Sequence, residues 1–200
     1  MRVAVVVYPG FDELDAIGPY EVLRTAQAAG ADLETMLVTR NRTARVTGSH
    51  GLTVEPQGTL EDGPFDLVIV PGGGWNNRAP DGAYAEAQSG ELPAALRRMY
   101  EGGAVLASVC TGGMLLAAAG LSRGRPATTH HEAFEELREA GAELVDARVV
   151  DHGDLLSSGG VTAGIDLALW LVERNWGTEL AEEVARTIEH ERRGPVHAPG

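Results

Sequence analysis

An α/β fold with a mostly parallel central sheet and helices on both faces is predicted by three observations. Runs of Val, Leu, Ile and Ala at residues 2–8, 33–39, 65–70 and 104–109 have the length and continuity of strands buried on both faces. Stretches of helical length lie between them. Glycine, at 26 positions, is abundant enough to supply the tight turns such an alternation needs.

Residues 2–8 read as a central strand closed by the turn pair Pro9 and Gly10. The next helical pattern carries Leu14, Ile17, Val22 and Leu23, interrupted by Gly18 and Pro19. Proline is best tolerated in a first helical turn, so the helix is expected to begin near Pro19, with Asp15 on the segment leading into it. After the strand at 33–39, residues 44–46 and 52–54 read as a small hairpin at a sheet edge. The strand at 65–70 runs into Pro71, Gly72, Gly73 and Gly74, a loop expected to leave bare N–H groups that cradle an anion or an oxyanion. It has neither a Walker lysine nor the dinucleotide glycine spacing.

A helix at 92–101 precedes the strand at 104–109, and Cys110 follows at once. Thr111, Gly112 and Gly113 allow a sharp turn, and residues 114–119 are strong helix formers. A side chain at such an elbow projects from the carboxyl end of a strand toward a helix amino end, as in hydrolase nucleophile elbows. The thiol is therefore expected to be partly ionised, cysteines so placed having pKa values of about 3.5–7.5. Thr128, Thr129, His130 and His131 then lead into a helix at 132–140, followed by strands at 143–150 and 154–158. Thr162 is placed to cap an apolar helix, with Asp166 in its first turn as a dipole partner. Leu180, Val184 and Ile188 mark a last amphipathic helix. One domain is expected over residues 1–191, with a loose tail at 192–200 holding two prolines and two glycines.

Composition narrows the partners. A net charge of −13 opposes phosphate backbones and anionic membrane surfaces, so no nucleic acid and no membrane partner is expected. A single cysteine forms no internal disulfide, and the amino-terminal residues read as a strand without a signal-peptide pattern, which points to the cytoplasm. His50, His152, His190 and His197 show no ligand spacing with acids or one another, so neither metal nor other cofactor is expected.

Asp15, the 72–74 loop and Cys110 all follow strand ends that an α/β sheet brings to one edge. The stretches YPGFDELDAIGPYEVL, VIVPGGG, ASVCTGGMLLAAAGLSRGRPATTHH and SSGGVTAGIDLAL, in this order over nearly the whole chain, resemble the DJ-1/PfpI superfamily and within it the isonitrile hydratase-like branch. That resemblance implies a flavodoxin-like sandwich of the class I glutamine amidotransferase type, with Cys110 as nucleophile. It implies an acid from the first helix region at Asp15, where other branches carry glutamate. It places Thr111 where its hydroxyl holds a water or a reacting group, and Gly73, beside Gly72, with Thr111 at an oxyanion hole built from backbone N–H groups. His130 matches a histidine near the nucleophile in many members, either catalytic or orienting a loop. His131 departs from the hydratase pattern, which has an aromatic there, and Trp75 is a second departure that could restore apolar wall. A homodimer is implied as well.

The activity implied is hydration of a small organic isonitrile to an N-substituted formamide through a cysteine thioimidate. Two alternatives stand beside it: glyoxalase, deglycase or peptidase chemistry with the same cysteine, and a ligand-sensing domain like those of AraC-type regulators.

Overall fold

The computed structural model describes residues 1–198 of the 200. Strand β1 (Arg2–Val6) leads through a glycine turn to α1 (Glu13–Ala28) and β2 (Glu34–Thr39). The hairpin β3 (Val46–Thr47) and β4 (Thr53–Val54) precedes β5 (Gly58–Thr59), β6 (Leu67–Val70), α2 (Ala83–Ser89) and α3 (Glu91–Glu101). Then come β7 (Val105–Val109), α4 (Gly112–Ala118), β8 (Pro126–Ala127), α5 (Phe134–Glu139) and β9 (Glu143–Leu144). The described chain ends with β10 (Val149–Asp151), β11 (Leu155–Ser158), α6 (Ala163–Trp176), α7 (Thr178–Thr187) and β12 (Val196–His197).

The main sheet has eight strands in the order β12-β10-β11-β7-β6-β1-β2-β5, parallel except where β10 meets β11. Its centre is apolar on both faces: residues 3–7 and 67–70 are buried. Helices α1, α6 and α7 pack together in one layer, and α2, α3, α4 and α5 form the other. The sequence reverses direction across the sheet between β1 and β6, so the crevice outside their carboxyl ends is the expected site of an open α/β sheet.

Several local expectations are corrected. Helix α1 begins at Glu13 because Asp12 caps it, accepting a hydrogen bond from the Leu14 N–H at 3.2 Å, and Pro19 lies inside. Lacking an N–H, Pro19 leaves the Asp15 carbonyl without its helical donor, a cost of about 3 kcal/mol. Burial of Val22 and Leu23 offsets this with roughly 1.5–3 kcal/mol each. Gly18 and Gly164 let α1 and α6 approach closely: a Cβ on Gly164 would lie 3.2 Å from Pro19 Cγ. Asp15 therefore sits in the first helical turn, fully buried, rather than on a preceding loop.

The hairpin forms its own two-stranded ribbon instead of extending the main sheet. The strand expected at 143–150 is split, since β9 pairs with β8 and β10 with β11. Thr162 stands at the cap of α6, but its hydroxyl accepts from Arg148 Nη2 at 3.1 Å rather than from the helix. Asp166, beyond its place at a helix start, is a buried hub that accepts from Arg148 Nε, His190 Nε2 and the Arg193 N–H. That hub and the pairing of β12 with β10 hold the tail against the domain through His197. Pro199 and Gly200 lie outside the described residues.

Candidate active site

Cys110 directly follows β7 with φ of 55°, a left-handed conformation uncommon for a residue with a Cβ. The elbow is over-determined by its neighbours. The Cys110 N–H is shared between the carbonyls of Ser158 (3.2 Å) and Gly159 (3.0 Å), and its carbonyl accepts from Thr129 Oγ1 at 2.8 Å. Gly112 is required directly behind it, since a Cβ there would lie 2.1 Å from the Val70 carbonyl oxygen. The backbone N–H groups of Val161 and Thr111 lie toward the sulfur and favour its ionised form. Val161 is itself left-handed at φ 39°, a contributor that nothing in its residue type announces.

Asp15 lies beside the thiol. Its Oδ2 accepts from the Gly72 N–H at 2.9 Å, whereas Oδ1 is buried without a partner in hydrogen-bond geometry. Burial, with the Asp12 charge second, raises its carboxyl from 3.8 to about 7, against the lowering effect of the Gly72 N–H and the Cys110 thiol. The expected thiolate does not form in this resting arrangement. Burial, then the Asp15 charge, pushes the Cys110 thiol up to about 12, and the two N–H groups on the sulfur recover only part of that. The two groups behave as a pair that holds one proton between them above neutral pH.

The 72–74 loop is fixed by Tyr8, whose buried hydroxyl donates to the Pro71 carbonyl at 2.6 Å and the Gly72 carbonyl at 3.1 Å. Two of its N–H groups are not bare as expected: that of Gly72 goes to Asp15, and that of Gly73 to Thr111 Oγ1 at 3.1 Å. The Thr111 hydroxyl, accepting from Gly73, keeps its own proton to donate. Gly72 with Asp15 and Gly73 with Thr111 are thus bonded pairs beside Cys110.

His130 lines the same cleft, its ring lying along Gly160, where a Cβ would meet Cδ2 at 2.7 Å. Nδ1 accepts from the Glu132 N–H at 3.3 Å, and burial followed by the His131 charge lowers its pKa, so it is neutral at pH 7. His131 faces a separate hollow with Phe134 and Arg148, which removes it from the cleft wall. Trp75 does line the cleft and is nearly buried, held by Nε1 donating to Glu136 at 3.1 Å and by edge contact with Tyr84.

The cleft measures about 870 Å³. It is also lined by Asp12 and by residues with no motif to mark them, Asp81 and the hairpin turn from Thr47 to His50. His50, expected to lack acidic neighbours at ligand spacing, has Asp12 and Glu13, one side-chain atom of each lying within 4.8 Å of the others. Both Glu13 oxygens are already engaged by N–H and imidazole groups of the hairpin. Burial would raise the Glu13 carboxyl, but those bonds, the His50 ring first, hold it below the usual range.

An open parallel sheet with a cysteine on a strained elbow and a carboxyl from the first helix beside it defines a flavodoxin-like α/β protein with its site at the strand ends. The chain belongs to the DJ-1/PfpI family, whose model matches residues 1–174. It is 36% identical over 191 residues to an isonitrile hydratase of Pseudomonas putida, covering 95% of this chain and 78% of that one. A deglycase of Pyrococcus abyssi is 30% identical over 176 residues, covering 86% and 96%. The crystal structure of a ThiJ/PfpI family protein from Pseudomonas syringae superposes with a TM-score of 0.84 at 28% identity, over 97% of this chain and 76% of that one. Among the described residues no helix is long and apolar enough to cross a membrane.

Proposed function

We propose that the protein hydrates a small organic isonitrile to an N-substituted formamide, as a cytoplasmic homodimer without metal or other cofactor. The observation that carries this reading is the Asp15–Cys110 pair, in which a buried carboxyl titrating near neutrality adjoins a protonated thiol. Isonitrile carbon needs a nucleophile and a proton at the same atom. With one proton in the pair, its transfer from Sγ to Asp15 creates both reagents at once.

The thiolate then bonds to the terminal carbon while the carbon lone pair takes the Asp15 proton, giving the thioimidate R–N=CH–S–Cys110. Asp15, again ionised, removes a proton from water held by the Thr111 hydroxyl. Oxygen bonds to carbon, and Asp15 passes that proton on to nitrogen, giving R–NH–CH(OH)–S–Cys110, whose hydroxyl proton goes to sulfur in the last step. Collapse breaks the C–S bond, releases R–NH–CHO and returns Cys110. Thr111 supplies its hydroxyl for this, and Gly73 holds that hydroxyl in place. His130, neutral and engaged at Nδ1, orients the loop at the cleft wall.

The similarity to an isonitrile hydratase and an aspartate rather than a glutamate at position 15 support the reading over deglycase chemistry. The test is formamide production from cyclohexyl isocyanide by purified protein without added metal. Cys110→Ala abolishes it, and Asp15→Asn costs about 10²- to 10⁴-fold. Thr111→Val costs less than either, because the backbone N–H groups at the sulfur remain. Consumption of methylglyoxal with isonitriles untouched would replace this reading with the deglycase one. Light scattering that gives a 21 kDa particle at micromolar concentration would remove the dimer.

A further inference from the structure

Glu13, two residues before Asp15, takes no part in the proposed chemistry, yet its side chain is only 12% exposed. Its carboxylate reaches from the first turn of α1 into the turn between β3 and β4. Oε1 accepts from the N–H groups of His50 at 2.7 Å and Leu52 at 3.2 Å, and Oε2 meets His50 Nδ1 at 2.7 Å and the Ser49 hydroxyl at 3.4 Å. The turn is shaped to receive it. A Cβ on Gly48 would sit 2.6 Å from the Glu13 carboxylate, although the Gly48 backbone is not in the left-handed region. The missing side chain at position 48 is therefore explained by space for Glu13 and not by conformation.

The turn so held is one wall of the cleft in which Cys110 opens, since Thr47, Gly48, Ser49 and His50 all line it. Apart from Val46, buried in the core, and Val54 packed against it, the ribbon has few ties to the main sheet. Its ladder pairs only Val46 with Val54 and Thr47 with Thr53, and two backbone bonds join it to the loop after β1, Gly10 N–H to the Thr47 carbonyl and Ser49 N–H to the Phe11 carbonyl. A two-stranded ribbon of this size is not stable alone.

We propose that Glu13 is a positioning residue: its carboxylate seats the 48–52 turn as a fixed wall of the cleft, and this wall sets the size of molecule that reaches Cys110. The inference goes beyond the proposed reaction and does not depend on it.

Because Cys110 is the single cysteine, alkylation reads access to it without ambiguity. Rates are compared for iodoacetamide and for a bulky fluorescein iodoacetamide at one alkaline pH. Glu13→Ala is expected to raise the bulky-to-small rate ratio roughly tenfold, the population change that loss of a charged hydrogen-bond anchor allows, while the iodoacetamide rate stays within about twofold. Gly48→Ala, which retains Glu13 but expels its carboxylate, is expected to do the same. Glu13→Gln, whose Oε1 still accepts from His50 and Leu52, is expected to restore most of the wild-type ratio. Parallel changes in both rates, or an unchanged ratio in Gly48→Ala, would overturn the proposal. Should Glu13→Ala fail to fold, the Gly48→Ala and Glu13→Gln pair decides it alone.

Discussion

Replacing Asp15 by asparagine should stabilise the protein at alkaline pH even as it removes the carboxyl from the site. The folded state raises the Asp15 pKa from 3.8 to about 7, chiefly by burial, so the unfolded chain loses this proton first as pH rises. Below about 4 both states hold the proton and no cost exists. Between about 4 and 7 the folded state is penalised by 1.36 kcal/mol per pH unit, and above about 7 the penalty is constant. Full integration over 3.8 to about 7 gives roughly 4 kcal/mol, a large share of a typical stability of about 5–15 kcal/mol.

Asparagine carries no such cost and retains an oxygen for the Gly72 N–H. Urea denaturation of both proteins at about pH 5.5 and at about pH 8 isolates the effect, because other consequences of the substitution cancel in the difference. The stability gap should move in favour of Asp15→Asn by about 2 kcal/mol between these two conditions, 1.5 units at 1.36 each. A gap that is constant with pH, or that moves the other way, would refute the assignment of Asp15 as a carboxyl held out of water at its own expense.

Other perturbations follow from the same geometry. At about pH 8 a thiol at about 12 is roughly one part in ten thousand ionised; removing the adjacent charge with Asp15→Asn should lower that pKa by about one to three units and speed iodoacetamide alkylation ten- to a thousandfold. A slower or equal rate would mean that proton transfer from the thiol to Asp15 outweighs the repulsion between their charges. For isonitrile turnover, kcat/KM should rise tenfold per unit up to about pH 7 and then level, since the singly protonated pair is the reactive form, and Asp15→Asn should lack this limb. Gly112→Ala should lower the melting temperature sharply or prevent folding, because its Cβ would lie 2.1 Å from a carbonyl that β6 cannot move; a mutant within about 1 kcal/mol of wild type by urea denaturation would contradict that packing.

The sequence by itself determined the sheet and its edge. Unbroken Val, Ala, Leu and Ile runs at β1, β6 and β7 admit little else than strands covered on both sides, and Cys110 followed by Thr-Gly-Gly marks the elbow through residue types alone. Asp15 and the 72–74 loop were legible as candidates for the site by their place after strand ends.

What tertiary structure decided concerns charge and contact across long sequence separations. A helix dipole and free N–H groups argue for a thiolate when Cys110 is considered with its own turn. The folded site instead sets the buried Asp15 charge beside it, 95 residues earlier in the chain, and desolvation outweighs the local donors. The same holds for the glycine loop, whose Gly72 and Gly73 N–H groups look bare until Asp15 and Thr111 arrive to take them. Pro19 packs inside α1 against α6, where Gly164 leaves it room, and Gly48 reads as a turn residue until Glu13 fills the space it leaves. Local pattern fixes which groups a segment offers; the fold alone decides which of them are already satisfied, and at what cost in solvation.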